Sequence, residues 1–194
     1  MRLYYAPGAC SLASNIALRE AKIPFAMERV DLKSKATQLG SDYRSVTEKG
    51  YVPALVLDSG EVVTENIAVL DYIASIAPAL AVDGDNGRTR QLEMLAYIST
   101  ELHKSFKPFF TGGSEADNAK AGAYIIRRMR YLADGVLGDF LFGGRPGVCD
   151  FYLFVTMRWA GRFGIAIPSR LMELRDLLEA RPAVQAAMRA EGWG

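Results

Sequence analysis

The chain has 194 residues, half of them hydrophobic, with 23 Lys and Arg against 22 Asp and Glu. That length buries one large core or two small ones, and a net charge of +1 argues against nucleic acid or an anionic membrane surface and for a small-molecule partner. Cys10 and Cys149 are too few for a disulfide framework and spaced for no zinc site; with no apolar leader after Met1 and no apolar run of the roughly 18–20 residues a span requires, the chain reads as a cytoplasmic protein without membrane contact.

Arg2 to Tyr5 is short and aromatic and runs into Pro7-Gly8, which predicts a strand ending in a turn. Leu12, Ala13, Ile16 and Ala17 then recur at helical spacing, which puts Cys10 at a helix N-terminus, and Lys22-Ile23-Pro24 ends that helix. A second strand lies within Phe25 to Leu32. Lys33 to Thr47 is charged and weakly periodic and reads as a mobile loop holding a short helix. Pro53-Ala54-Leu55-Val56-Leu57, a turn at Asp58-Ser59-Gly60, and Val62-Val63-Thr64 form a hairpin. Glu65 to Ala74 is helical, with Ile67, Leu70, Ile73 and Ala74 on one face. The first strand–helix–strand passage predicts a parallel pair joined by a right-handed crossover, and so a thioredoxin-like α/β domain over residues 1–77.

Residues 78–87 have the proline, glycine and aspartate content of a linker, and 88–194 read as an all-helical bundle. Arg88 to Phe106 is one long periodic stretch ending before Pro108. Ser114 and Asp117 form a capping-box pattern that opens a helix running toward Phe142. Asp150 to Phe163 is rich enough in aromatic and aliphatic residues to be a buried central helix, with Asp150 as its cap, and Pro168 and Pro182 begin two terminal helices.

Cys10 is the sharpest chemical candidate, because unpaired N–H groups and the helix dipole favour thiolate over thiol at a helix N-terminus. The competing reading is a small buried hydrophobe. No second cysteine follows three residues on, so a single-cysteine site forms no internal disulfide. Pro53 donates nothing to a sheet ladder and fits the first residue of a strand. A cis Val52-Pro53 bond would leave the backbone of Val52 free to pair with an extended peptide-like ligand.

Tyr5-x-Pro7-Gly8-Ala9-Cys10-Ser11-Leu12, Val52-Pro53-Ala54-Leu55, Thr64-Glu65-Asn66, Thr100-Glu101-Leu102-His103-Lys104 and Arg181-Pro182-Ala183-Val184-Gln185 follow one another from end to end of the chain. Together they resemble a beta-class bacterial glutathione S-transferase. The resemblance implies catalytic roles for Cys10 and His103 beside the glutathione sulfur. It implies glutathione contacts from Tyr5, Lys35, Val52, Pro53, Glu65, Asn66 and Lys104, and an electrophile pocket between the domains with Phe106, Phe109 and Phe110. A carboxylate suits the ammonium of the γ-glutamyl end, helix N-terminal amides and a small polar side chain suit its carboxylate, and a cation such as Lys35 suits the glycine end. It further implies a homodimer that uses glutathione as co-substrate, with no metal and no other cofactor. The sequence departs from the family pattern at Thr47-Glu48, Tyr51, Ala96 and Gly147.

The function expected is therefore conjugation of glutathione thiolate to hydrophobic electrophiles. Two alternatives stand beside it: a glutathione-dependent thiol–disulfide oxidoreductase in which Cys10 carries the glutathionyl group, and a non-catalytic binding or stress protein that retains the fold.

Overall fold

A computed structural model describes residues 1–193; Gly194, the last residue of the expected helical domain, lies outside the described residues. In chain order the elements are β1 (Arg2–Tyr5), α1 (Ser11–Glu20), β2 (Ala26–Arg29), β3 (Ala54–Val56), β4 (Val62–Thr64), α2 (Asn66–Ile76), α3 (Gly87–Tyr97), α4 (Lys107–Thr111), α5 (Glu115–Asp134), α6 (Val148–Arg162), α7 (Ser169–Glu179) and α8 (Pro182–Glu191). They form two compact units, one comprising residues 1–81 with the segment from Arg181 onward, the other residues 82–180.

The first unit is built on a four-stranded sheet in the order β2-β1-β3-β4. β1 and β2 are parallel, with Leu3 opposite Met27, so they require a crossover, which α1 supplies. β3 runs antiparallel to β1, with Leu55 opposite Leu3, and β4 antiparallel to β3, with Thr64 opposite Ala54. Leu3, Leu12, Ile16, Leu55, Leu70 and Ile73 have no exposed surface and make the centre of its core. On α2 the buried face carries Val69 where the periodicity suggested Ile67, which is only half buried.

α8 belongs with this unit, which corrects the expected 88–194 helical domain. Its Val184, Ala187 and Glu191 are buried and it packs along α1; Arg181 pairs with Glu20, its Nε 3.2 Å from Oε2. The expected linker also shrinks, because Pro78–Leu80 forms a helical turn with Leu80 buried. Between β2 and β3 the short helix is only one turn, Tyr43–Ser45. The loop before it is pinned: Asp31 accepts from the N–H of Lys33 at 2.8 Å and of Ser34 at 3.1 Å, and Thr37 bridges to Val30.

In the second unit the stretch expected as one helix to Phe106 changes pitch twice. α3 widens into a π turn at Ile98–Leu102, tightens into a 3₁₀ turn at His103–Phe106, and continues as α4 through Pro108. Pro108 is tolerated because it stands where the 3₁₀ turn gives way to α4: the Lys104 carbonyl four residues back already accepts from the Lys107 N–H. The Ser114 capping box forms as expected, Oγ accepting from the Asp117 N–H at 3.1 Å, and α5 ends at Asp134, before Phe142. α6 is the buried centre: from Val148 to Met157 every residue is buried. Its cap is Asp150, whose carboxylate accepts the N–H of Gly147 and of Leu141, both at 2.8 Å.

Candidate active site

The turn after β1 carries the cysteine. Ala9 N–H returns to the Ala6 carbonyl at 3.0 Å, and the Ser11 hydroxyl sits 3.3 Å from Ala6 N, so the turn closes on itself and delivers Cys10 as the residue that begins α1. Gly8 adopts φ +69°, and its N–H donates to Glu191 Oε2 at 3.1 Å. The other Glu191 oxygen accepts from Asn15 Nδ2 at 3.0 Å, and Asn15 Oδ1 accepts from Arg19 Nε at 2.8 Å. α8 is thereby tied to the cysteine turn through a buried carboxylate that sequence reasoning missed.

Cys10 is 8% exposed, and its Sγ donates to the Val52 carbonyl at 3.5 Å. Burial pushes its pKa up to about 12, overriding the opposing pull of the Cys10 and Ser11 N–H groups. This corrects the expectation of a thiolate at Cys10: desolvation outweighs the helix dipole, and at neutral pH the group is a thiol, a hydrogen-bond donor.

The Val52-Pro53 bond is cis. Among the described residues nothing accepts from the Val52 N–H. Pro53 is buried beside it. Two residues before Val52, the Gly50 carbonyl accepts from Lys35 Nζ at 2.7 Å; Lys35 is half buried and has a left-handed backbone (φ 63°). Tyr43 OH fixes the same loop through the Tyr51 carbonyl at 3.0 Å.

Glu65 begins α2 with φ 67° and an exposed carboxylate. Lys49 Nζ and Tyr51 OH both donate to its Oε1 at 2.6 Å, so Tyr51, a departure from the family pattern, orients this acid. Asn66 is buried; its Oδ1 accepts from Ser14 Oγ at 3.1 Å, which ties the start of α2 to the α1 face bearing Cys10. Its Nδ2 is buried and has no hydrogen-bond partner among the described residues. A buried amide N–H left open is costly, and this one lies where the start of α2 meets α1. Tyr5 is 8% exposed, and burial followed by the nearby Glu191 raises its pKa, which keeps the phenol protonated.

The second unit holds the remaining predicted residues. His103 is half buried; its Nδ1 lies 2.6 Å from Tyr152 OH and its ring meets Trp159 edge-on at 4.9 Å. Burial, aided by Lys104, lowers its pKa to about 4. Lys104 is exposed. Phe109 stacks on Phe163 at 5.0 Å, and Phe110, 47% exposed, meets Trp159 at 5.1 Å. Phe106 has no exposed surface: Phe109, Phe110, Trp159 and Phe163 surround it, so it supports an apolar face rather than lining one. The α6 partners Tyr152 and Trp159 were unassigned from sequence, where uniform hydrophobicity hides which residues meet the histidine.

The α/β unit, with its lone N-terminal cysteine and a cis-proline loop beside it, is a thioredoxin-like domain. Residues 8–76 match the family described as glutathione S-transferase, N-terminal domain. The chain is 37% identical to glutathione S-transferase GstA of Escherichia coli O157:H7, with 99% of each covered. A sphingomonad glutathione S-transferase complexed with glutathione is 39% identical, with a TM-score of 0.92 and 100% of both chains covered. A bacterial beta-class glutathione S-transferase of Sphingomonas chungbukensis is 38% identical, with a TM-score of 0.91 and the same coverage. The chain belongs to the glutathione S-transferase family. Among the described residues no helix is long and apolar enough to cross a membrane, and no group of three or more His, Cys, Asp or Glu could hold a metal ion.

Proposed function

We propose that the protein binds glutathione in extended form along Val52 and conjugates its sulfur to hydrophobic electrophiles. The observation that carries this reading is the set of open donors around Cys10: the Val52 N–H and the first N–H groups of α2. A tripeptide with an amide between its ends and a carboxylate at the γ-glutamyl end satisfies both. Glu65, held by Lys49 and Tyr51, takes the γ-glutamyl ammonium, and Lys35 faces the glycine carboxylate. Pro53 and Tyr5 shape the pocket, and Lys104 adds positive charge. In the reaction the glutathione sulfur loses its proton to solvent, and its electron pair forms the new C–S bond as the electrophile's leaving group departs. Cys10 and His103 serve as donors to that sulfur, and Phe109 and Phe110, with Phe106 beneath, offer the electrophile an apolar surface.

The protonated, buried state of Cys10 speaks against the oxidoreductase reading, since the thiolate is the attacking species in disulfide exchange. We further read the protein as a cytoplasmic homodimer; the two free thiols accord with a reducing compartment.

Calorimetric titration with glutathione, paired with a conjugation assay on 1-chloro-2,4-dinitrobenzene, tests the proposal; neither heat nor turnover at millimolar glutathione would overturn it. Cys10→Ala is expected to lower kcat by about tenfold, the scale of one donor to a charged sulfur, while the glutathione Kd moves less than about threefold. Equal loss in both would contradict the donor role. Asn66→Ala is expected to do the reverse, weakening glutathione binding about tenfold with little change in kcat, because it removes the Ser14 bond that holds the start of α2, whose N–H groups meet the unreactive end of the ligand.

A further inference from the structure

We propose that Tyr152 is a positioning residue that fixes His103 as the neutral Nε2–H tautomer, so that the imidazole acts as a hydrogen-bond donor and not as a proton acceptor. The inference rests on the reading of His103 as a residue that meets the glutathione sulfur.

The two side chains meet at 2.6 Å between Nδ1 and Oη, and a neutral pair at that distance holds one proton between them. Phenol is the stronger acid and imidazole nitrogen the stronger base, so the hydroxyl donates and Nδ1 accepts. That assignment puts the ring proton on Nε2. No described residue accepts from Nε2, so this donor is open.

Packing holds the ring in this pose. Trp159 contacts it edge-on at 4.9 Å, Tyr152 stands perpendicular to it at 5.9 Å, and the change from π to 3₁₀ pitch at Leu102 and His103 sets where the side chain leaves the backbone. Burial and the adjacent Lys104 keep the ring uncharged across the neutral range. A charged imidazolium would carry a proton on Nδ1 and reverse the bond to Tyr152. The neutral tautomer instead gives a donor of constant strength, suited to stabilising a thiolate that forms and is consumed each turnover.

His103 is the only histidine in the chain, so two-bond ¹H–¹⁵N correlation spectra of ¹⁵N-histidine-labelled protein report this ring alone. The expected wild-type spectrum has Nδ1 unprotonated and Nε2 protonated, unchanged from pH 6 to pH 9. A Nδ1–H tautomer, or an imidazolium at pH 7, would overturn the proposal, and this decides the matter even where the variant fails to fold. Tyr152→Phe, which keeps the ring, is expected to shift the spectrum toward mixed tautomers and lower kcat by about tenfold, with the glutathione KM within about twofold. Unchanged tautomer and kcat in the folded variant would equally overturn it. Wild-type protein that shows the expected tautomer but neither binds nor conjugates glutathione would instead remove the transferase reading and leave the assignment of the ring standing.

Discussion

Replacing Asp150 by alanine is expected to lower the unfolding free energy by roughly 3 kcal/mol, about 6–12 °C in the thermal midpoint for a chain of this size. The carboxylate accepts two backbone N–H groups at 2.8 Å, that of Gly147 at the start of α6 and that of Leu141 in the loop before it. Leu141 is 2% exposed, so water cannot replace the lost acceptor. A buried donor left unmade costs about 1–3 kcal/mol, and a lost helix cap adds about 1 kcal/mol. Against these stands relief of a desolvated charge, since burial pushes the Asp150 pKa up to about 6 despite the two donors. Donor loss wins because the Leu141 N–H is orphaned in the interior and the cap at half-buried Gly147 is lost with it. Gly147 has no side chain with which to cap the helix, so nothing else covers this end. Asp150→Asn keeps one acceptor oxygen and is expected to fall between wild type and Asp150→Ala. Thermal melts with amide exchange at Leu141 and Gly147 check this: alanine within about 0.5 kcal/mol of wild type, with both amides still protected, would refute it.

Elements with strong local chemistry were legible in the sequence. The β1 strand, the cysteine at the start of α1, the β3–β4 hairpin, the Ser114 capping box and the buried α6 follow from periodicity, turn residues and caps. The family followed from motifs carried together in order, whereas the sequence raised the cis Val52-Pro53 bond only as a condition, which the structure meets. What failed depends on packing between segments distant in the chain. α8 joins the first unit because Val184, Ala187 and Glu191 share a buried face; their spacing of three and four is visible, but not what they pack on. The pitch changes before α4 have no local marker beyond Pro108. Cys10 illustrates competing physics: its helix position was readable and argued for thiolate, whereas the burial that decides its charge comes from the fold around it. The α6 residues that meet His103 were hidden because almost every residue of that helix is apolar.

Glu191→Gln is expected to remove a pH dependence of stability worth up to roughly 3 kcal/mol between about pH 4.5 and pH 7. The Glu191 carboxyl is 5% exposed, and burial raises its pKa to about 7, opposed by its bonds to Asn15 and Gly8 and by Arg19. Tyr5, Arg29, Asp31 and Arg189 are the other titratable or charged side chains around the cavity it borders. In the unfolded chain the group returns to the ordinary carboxylate range. Between the two values the folded protein holds a proton that the unfolded chain has released, so stability is greatest at the acid end and falls as pH rises toward 7. Above that both states are ionised and the slope vanishes. Asp150 also titrates in this window, but it is present in wild type and variant alike and cancels in their difference. Glutamine cannot ionise, and with one oxygen it can accept from Gly8 or from Asn15 but not from both, so the variant loses a constant amount at every pH. The quantity to measure is the difference in urea unfolding free energy between wild type and Glu191→Gln at pH 5 and at pH 8. The wild-type advantage should shrink as pH rises; a difference equal at the two pH values would mean that Glu191 is ionised throughout and that the α8 carboxylate holds the Gly8 turn as a permanent charge.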